Sequence, residues 1–240
     1  AEPVGLPTSA SAVGEHSSGT WAVVIGINDY PGTEYDLQSA INDSNDVTQA
    51  LSGFGVAPDR QLVLQGQDAN RAGIRRSLEW LKAHAGPDAT AVFFYAGHVS
   101  KQRGGEAIVA ADGGTLSDAE LAASLDGLQA AKTWIGIAAC YGGGFTEVMK
   151  PGRVLVAAAS ADEVAYENLN FKRSYLVEYM VRRAMIGNGI DTVQDAFTAA
   201  QQALRNEFPG RVAVQFDQMT QALDLSASPA GQPTTNRPSR

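Results

Sequence analysis

Six runs of consecutive apolar residues occur along the chain, and most are separated by segments whose apolar residues recur every three or four positions. Short apolar runs are typical of buried strands, whereas the wider spacing is typical of amphipathic helices. Strands are therefore predicted at 21–27, 61–65, 89–96, 133–139, 153–159 and 211–216. The alternation predicts an α/β fold with a mostly parallel six-stranded sheet and helices on both faces.

Three helices are predicted from their apolar faces. The first spans 36–52, and Asp36 is expected to cap its first turn. The other two carry apolar faces at Ile74, Leu78 and Leu81, and at Val193, Phe197, Ala200 and Leu204. A short strand at 106–110 and a helix at 117–124 are interpreted as an excursion. Strands 89–96 and 133–139 can then be neighbours in the sheet.

The length of 240 residues and the 44% hydrophobic content predict one domain with a proper core. We expect a flexible segment at 1–19, a folded domain at 20–224 and a disordered tail at 225–240, since both ends are poor in large apolar residues. The chain starts at Ala1 without a methionine. We therefore expect an exported protein, with a cytoplasmic location as the alternative.

The net charge of -8 lies entirely in the first quarter of the chain, where eight acidic residues precede the first basic residue, Arg60. A nucleic-acid partner is not expected, because it would favour a basic surface. A basic ligand and a merely solvated acidic surface both remain open. No stretch approaches the roughly 20 apolar residues of a membrane span. One cysteine excludes an internal disulfide and a cysteine-rich zinc site.

Cys140, the only cysteine, ends the run at 133–139, and His98 follows the run at 89–96. Ligands of open parallel sheets bind beyond the carboxyl ends of the strands, where both side chains are expected. A thiol beside an imidazole is the arrangement that nucleophilic thiol catalysis needs. The glycines at 142–144 could expose backbone N–H groups to an oxyanion. The alternatives are an inert buried cysteine and a phosphate cradle, although neither glycine-rich phosphate motif occurs.

Five segments resemble, in order, the landmarks of the caspase-like cysteine peptidases, with the closest likeness to the bacterial metacaspase-type branch. These segments are WAVVIGIN at 21–28, AINDSNDV at 40–47, FYAGH at 94–98, AACYGG at 138–143 and AASADEVAYE at 158–167. The resemblance spans about residues 20 to 220 and implies a three-layer caspase-like sandwich. It also implies that Cys140 is the nucleophile, that His98 activates it or protonates the leaving amine, and that the N–H groups of Cys140 and Val99 form the oxyanion hole.

The same resemblance implies an S1 pocket that accepts Arg or Lys, so that the substrate is a protein or peptide with a basic P1 residue. Asp43 matches one acid of that pocket, whereas Ala138 stands where the family has the second. Helical spacing places Asp43 on the apolar stripe of its helix, where a local cap or a hydrogen-bonded core acid is the alternative. Asp46 aligns instead with the polar residues Asn42 and Gln49, so it is expected on the polar side of the helix. Asp162 and Glu163 are candidates to replace the missing acid.

The second departure from the family pattern is Val99, which stands where the family has glycine. A β-branched residue adopts positive φ angles poorly. Val99 and Ala138 motivate an alternative function, a caspase-like pseudoenzyme that acts as a binding or scaffold module. A doubly wound nucleotide-binding domain is a third hypothesis.

The chemistry itself requires no cofactor, and no metal ligand is assigned. Calcium activation is implied only by the resemblance. Four acids lie in the corresponding stretches without forming a calcium-loop pattern: Asp112, Asp118, Glu120 and Glu147. Lys150 and Arg153 are basic positions at which such an enzyme could cut itself. We expect a monomer.

Overall fold

A computed structural model describes residues 17–211 and 213–226. In chain order its strands are β1 Ser17–Gly26, β2 Gln61–Gln65, β3 Ala85–Ala96, β4 Val99–Gln102, β5 Gly105–Val109, β6 Thr115–Ser117, β7 Lys132–Ala138, β8 Arg153–Ala157, β9 Glu167–Asn168, β10 Arg173–Ser174 and β11 Val214–Asp217. The helices are α1 Ala40–Gly53, α2 Arg71–His84, α3 Asp118–Asp126 and α4 Val193–Glu207, with a π-helix at Val177–Gly187.

Six strands form the central sheet in the order β11-β8-β7-β3-β1-β2. Every neighbouring pair is parallel except β11 and β8, which are antiparallel. Helices α2 and α3 pack on one face, while α1, the π-helix and α4 pack on the other. The predicted α/β fold, a three-layer sandwich around a mostly parallel six-stranded sheet, is confirmed.

The central strands are buried on both faces, which explains their continuous apolar runs. All residues of β3 from Ala89 to Ala96 are buried, as are Val154, Leu155, Val156 and Ala157 in β8. The excursion between β3 and β7 forms a separate antiparallel sheet of β4, β5 and β6, followed by α3. It leaves β3 and β7 as direct neighbours, as predicted.

Helix α1 begins at Ala40, four residues later than predicted, and the prediction that Asp36 caps it is wrong. Asp36 accepts a hydrogen bond from the N–H of Tyr30 instead. The N–H of Ser39 bonds to the Glu167 carboxylate at 2.8 Å, and that of Ile41 bonds to Asn28 Oδ1 at 3.1 Å. The start of this helix is therefore fixed by distant residues, which a local capping pattern cannot reveal.

The domain extends slightly beyond the predicted limits. Strand β1 begins at Ser17, and Leu225 is buried in the core with its N–H bonded to the Asp191 carbonyl oxygen at 2.9 Å. Most of the predicted flexible segment, residues 1–16, and of the predicted tail, residues 227–240, lies outside the described residues. No helix was predicted at Val177–Gly187, although Val177, Val181 and Met185 recur at the four-residue spacing of a helix.

Candidate active site

Cys140 and His98 leave the sheet at matching positions of two adjacent strands. Ala96 of β3 pairs with Ala138 of β7, and each of the two side chains lies two residues beyond its paired alanine. Neighbouring strands lie about 4.8 Å apart, so the register delivers both groups to the same edge. Cys140 is half-buried, and its Sγ lies 3.6 Å from the carbonyl oxygen of Ala165.

The His98 ring is oriented by a backbone carbonyl that sequence analysis missed. Its Nε2 lies 2.6 Å from the carbonyl oxygen of Tyr35, which belongs to a short turn between β1 and α1. Because a carbonyl oxygen only accepts, Nε2 carries the proton in the neutral ring and Nδ1 is left as the acceptor. The tautomer held here can take a proton on Nδ1.

Two tyrosines hold the backbone of His98. The N–H of His98 donates to the Tyr30 hydroxyl at 2.8 Å, and the two rings pack with their centroids 4.7 Å apart. The buried Tyr95 hydroxyl lies 2.6 Å from the His98 carbonyl oxygen. A Cβ at Gly97 would lie 2.5 Å from the Tyr95 hydroxyl oxygen and 2.6 Å from that of Tyr30, so this position needs glycine. The glycine before the histidine was the only sequence signal of this arrangement.

Val99 does not need the backbone freedom of glycine. It is the first residue of β4, and among the described non-glycine residues only Tyr141 and Lys172 have positive φ. The N–H of Val109 donates to the His98 carbonyl oxygen at 2.9 Å. Since hydrogen-bonded and non-bonded positions alternate along antiparallel strands, the N–H of Val99 points away from β5. A β-branched residue is therefore compatible with an available N–H at this position.

The turn after Cys140 is tied to the segment at 160–166. Tyr141 has a left-handed backbone conformation with φ 56°, and its N–H donates to the Glu163 carbonyl oxygen at 2.9 Å. The Ala165 carbonyl oxygen of the same segment contacts Cys140 Sγ at 3.6 Å. Left-handed conformations of non-glycine residues store strain and are often found at functional sites. The segment at 160–166 thus forms one wall beside the thiol.

Asp43 is buried in the first turn of α1, as its position on the apolar stripe predicted. Asp43 is only 2% exposed, and the N–H of Ser174 donates to the two Asp43 carboxyl oxygens at 3.1 and 3.3 Å. Burial raises the pKa of Asp43 to about 8, and the hydrogen bonds from Ser174 oppose the shift only partly. No described cation forms an ion pair with this carboxyl group, and the nearby Arg173 is paired with Asp46 instead.

The expectation that Asp46 lies on the polar side of its helix is wrong. Asp46 is only 4% exposed and forms ion pairs with Arg173 and, at 3.4 Å, with Arg182. Arg173 belongs to β10 and Arg182 to the π-helix, and both elements pack against α1. Because the π-helix was not predicted, the pattern gave no reason to expect a second buried side.

The structure does not place the four candidate S1 residues on one wall. Asp162 is almost fully exposed and pairs with Lys101 at 2.8 Å, while Glu163 accepts a hydrogen bond from the Ser160 hydroxyl at 2.8 Å. Both line a cavity of about 360 Å3 that does not include Asp43. Ala138 is buried at the end of β7 and packs in the core on the α1 side. Asp43 therefore does not line this cavity, although its partner Ser174 precedes the cavity residue Tyr175.

The acids proposed for calcium do not form a site that fits the ion. Asp112 accepts from the N–H groups of Arg71 and Gly114, and Glu120 lies 2.7 Å from the guanidinium groups of both Arg71 and Arg75. Asp118 accepts from its neighbour Ala119 at 2.6 Å. No group of three or more potential ligands gathers anywhere in the described part of the chain. Calcium activation stays a prediction.

The two candidate self-cleavage positions differ in access. The guanidinium of Arg153 is buried and donates to the carbonyl oxygens of Val148 and Leu125, which withdraws this side chain from any protease pocket. Lys150 is about half exposed and pairs with Asp126 at 2.5 Å.

Among residues 17–211 and 213–226, no helix has the length and apolar character needed to cross a bilayer.

The chain matches a known protein family over most of its length. The family model described as "Caspase domain" matches residues 20–227. Metacaspase-1 of Candida albicans is 36% identical over 83 residues, and metacaspase-1 of Debaryomyces hansenii is 33% identical over 84 residues. Each alignment covers 32% of this chain but only 18% and 19%, respectively, of those curated relatives. The chain thus spans about a fifth of their length.

A solved structure extends the likeness to the whole fold. Protein GSU0716 from Geobacter sulfurreducens superposes with a TM-score of 0.68, over 85% of this chain and 94% of that chain. The sequence identity is 15%, so this likeness concerns the fold alone.

Proposed function

Because the chain belongs to the caspase-domain family of cysteine peptidases, we propose that it is an endopeptidase that uses Cys140 and His98 and cleaves after Arg or Lys. The observation that carries the proposal is the register of β3 and β7, which brings the thiol and the imidazole to one edge of the sheet. The tautomer held by the Tyr35 carbonyl supports it, because Nδ1 is then able to accept the thiol proton.

The proposed reaction starts with transfer of the Cys140 proton to Nδ1 of His98. The thiolate attacks the scissile carbonyl carbon, and the oxyanion that forms receives hydrogen bonds from the N–H groups of Cys140 and Val99. Breakage of the C–N bond returns the electron pair to the amine, which takes the proton from His98. His98 then removes a proton from water, and hydroxide displaces Cys140 from the acyl-thioenzyme.

Asp43 is the proposed determinant of basic P1 specificity. A carboxyl group that is buried without a cationic partner is costly to ionise, and a bound guanidinium or ammonium group would offset that cost. Asp46 is less suited, since Arg173 and Arg182 already neutralise it. Asp162 and Glu163, at the neighbouring cavity, are the alternative determinants.

A polypeptide substrate is supported by exposed apolar residues around the site. Six large hydrophobic residues are exposed in the described structure, and three belong to the turn at 33–35 and the segment at 160–166 beside the pair: Tyr35, Val164 and Tyr166. Grouped exposed apolar residues are characteristic of surfaces that bind another chain.

The function is tested by incubating the protein with fluorogenic peptides that end in Arg, Lys or Asp, with and without calcium. We expect turnover of the Arg and Lys peptides and its loss in Cys140→Ala. Equal turnover by this variant would contradict the role of Cys140, and preference for the Asp peptide would contradict the role of Asp43. A folded protein that neither turns over peptide nor reacts with a peptidyl electrophile would instead be the pseudoenzyme.

A further inference from the structure

The cavity beside Cys140 is lined by an arginine, Arg211, that the proposed reaction does not use. Its volume is about 360 Å3, and it is bounded by the 160–166 segment on one side and by Tyr175, Gly210 and Arg211 on another. It adjoins the thiol, because the carbonyl oxygen of Ala165, which lines the cavity, contacts Cys140 Sγ. A peptide held at Cys140 therefore has this cavity within reach of its side chains.

Aromatic rings orient the guanidinium of Arg211. Its central carbon lies 3.7 Å from the centroid of the Tyr166 ring and 5.6 Å from that of Tyr175. Tyr175 is itself held in place, since it packs edge-on against Phe208 at 5.0 Å and its hydroxyl accepts from Asn168. A guanidinium stacked on a ring keeps its N–H groups at the edge of the stack, where they can bind a planar anion.

A second arginine of the same aromatic cluster makes the contrast clear. Arg183 lies over the rings of Phe171 and Tyr179, and it also pairs with Glu178 at 3.0 Å and with Glu207 at 2.8 Å. Arg211 has the aromatic contacts but pairs with no carboxylate of the described structure. The structure thus contains one arginine that is neutralised in place and one that keeps its charge beside an open cavity.

Neither acid of the cavity forms an ion pair with Arg211. Asp162 is paired with Lys101, and Glu163 is bonded to the Ser160 hydroxyl. An arginine that is oriented by stacking, lacks a protein carboxylate and faces a cavity is well suited to bind a carboxylate through two charge-assisted hydrogen bonds.

We propose that Arg211 is the anion-binding residue of a second specificity subsite, which receives a carboxylate of the peptide bound at Cys140. The carboxylate comes from an acidic side chain or from the end of the peptide. The inference rests on the proposed function, since the ligand is the peptide that Cys140 would cleave. It adds that a good substrate combines the basic P1 residue with a negative charge a few residues away.

The test measures binding to Cys140→Ala, so that it does not depend on turnover. The probes are pairs of Arg-containing peptides that differ only by Glu or Gln at one position, scanned over four positions on each side of the Arg. Each is made with a free and with an amidated carboxyl end. We expect one Glu peptide, or one free-acid peptide, to bind about tenfold more tightly than its neutral counterpart.

Variants of the arginines assign the effect. In the Cys140→Ala protein, Arg211→Gln should make the acidic and neutral peptides bind about equally. Arg211→Lys should reduce the difference in affinity only in part, because lysine keeps the charge but lacks the planar guanidinium. Arg205→Gln is the matched control, since it removes the same charge from an exposed position of α4 outside the cavity and should leave the tenfold difference.

Two results would overturn the proposal: equal binding of all acidic and neutral pairs, or a preference that persists in folded Arg211→Gln. Thermal unfolding checks that this variant is folded, and Arg211→Lys provides the comparison if it is not. If the preference depends on Arg211 but the unmodified protein cleaves no peptide, the subsite stands and the proposed peptidase activity is contradicted.

Discussion

At the scale of single residues, the position of His98 depends on hydrogen bonds to its backbone as well as to its ring. His98 is held at its N–H by Tyr30, at its carbonyl oxygen by Tyr95 and at its ring by the Tyr35 carbonyl. These contacts fix both the position of the imidazole and its tautomer. His98 is thus placed by three groups that have no chemistry of their own in the proposed reaction.

The Tyr30→Phe variant tests this arrangement. It removes the acceptor of the His98 N–H, and a buried donor left without a partner costs about 1–3 kcal/mol. We expect the free energy of unfolding to fall by that amount. We also expect a lower kcat on Arg peptides and a shifted dependence of kcat on pH. Tyr35→Phe is the control for stability, because it retains the carbonyl oxygen that contacts the ring. An unchanged pH profile in Tyr30→Phe would contradict the positioning role.

Asp43 should make stability depend on pH. Burial raises its pKa from an ordinary value of 3.8 to about 8, so the folded state retains a proton that the unfolded state releases between these values. Stability therefore falls as pH rises from about 4 to about 8, with a slope of up to about 1.4 kcal/mol per pH unit from this group. In Asp43→Asn this slope should disappear, as denaturant unfolding at several pH values would measure.

Asp29→Asn is the matched control, since Asp29 is exposed, and it should keep the slope of the unmodified protein. The same slope in Asp43→Asn would show that Asp43 is not the group that titrates.

At the scale of elements, the ion pairs of Asp46 join α1 to β10 and to the π-helix. Asp46 is buried, although the side chains of Arg173 and Arg182 are 23% and 39% exposed, so breaking these pairs costs more than breaking a fully exposed pair. We expect Asp46→Asn to lower the free energy of unfolding by about 2 kcal/mol or more. Asp126→Asn removes the exposed pair with Lys150 and should cost less than about 1 kcal/mol. Equal effects in urea unfolding would contradict a structural role for the ion pairs of Asp46.

The elements that could be predicted from the sequence are those whose pattern is local. The runs ending near Ala96 and Ala138 predicted both central strands and, with them, the edge where His98 and Cys140 lie. The start of α1 was wrong, because Glu167 and Asn28 supply the bonds that a local cap would give. The burial of Asp46 was also missed, since it depends on packing between segments about 130 residues apart.

At the scale of the whole molecule, the candidate functional residues gather at one edge of the central sheet. Chemistry-bearing residues lie beyond the carboxyl ends of β3 and β7, as in other open α/β sheets. The buried Asp43 lies near the start of α1, and the cavity with Arg211 is on the same side of the sheet, since its residues Leu176 and Leu204 belong to the core on that side. A bound peptide would thus meet a region for positive charge and a region for negative charge on the same face of the sheet.

The central claim is that His98 activates Cys140 in a site that selects basic residues. It is tested most directly by the rate at which a peptidyl-arginine electrophile modifies the protein at pH 7, with the adduct located by mass spectrometry. We predict an adduct on Cys140 that forms at least about tenfold faster than the adduct of the matching aspartyl reagent, because the site selects basic residues. The same reaction should be at least about tenfold slower in His98→Ala, because a free thiol ionises only near pH 8.5. No adduct on the folded protein, or equal rates in His98→Ala, would contradict the claim.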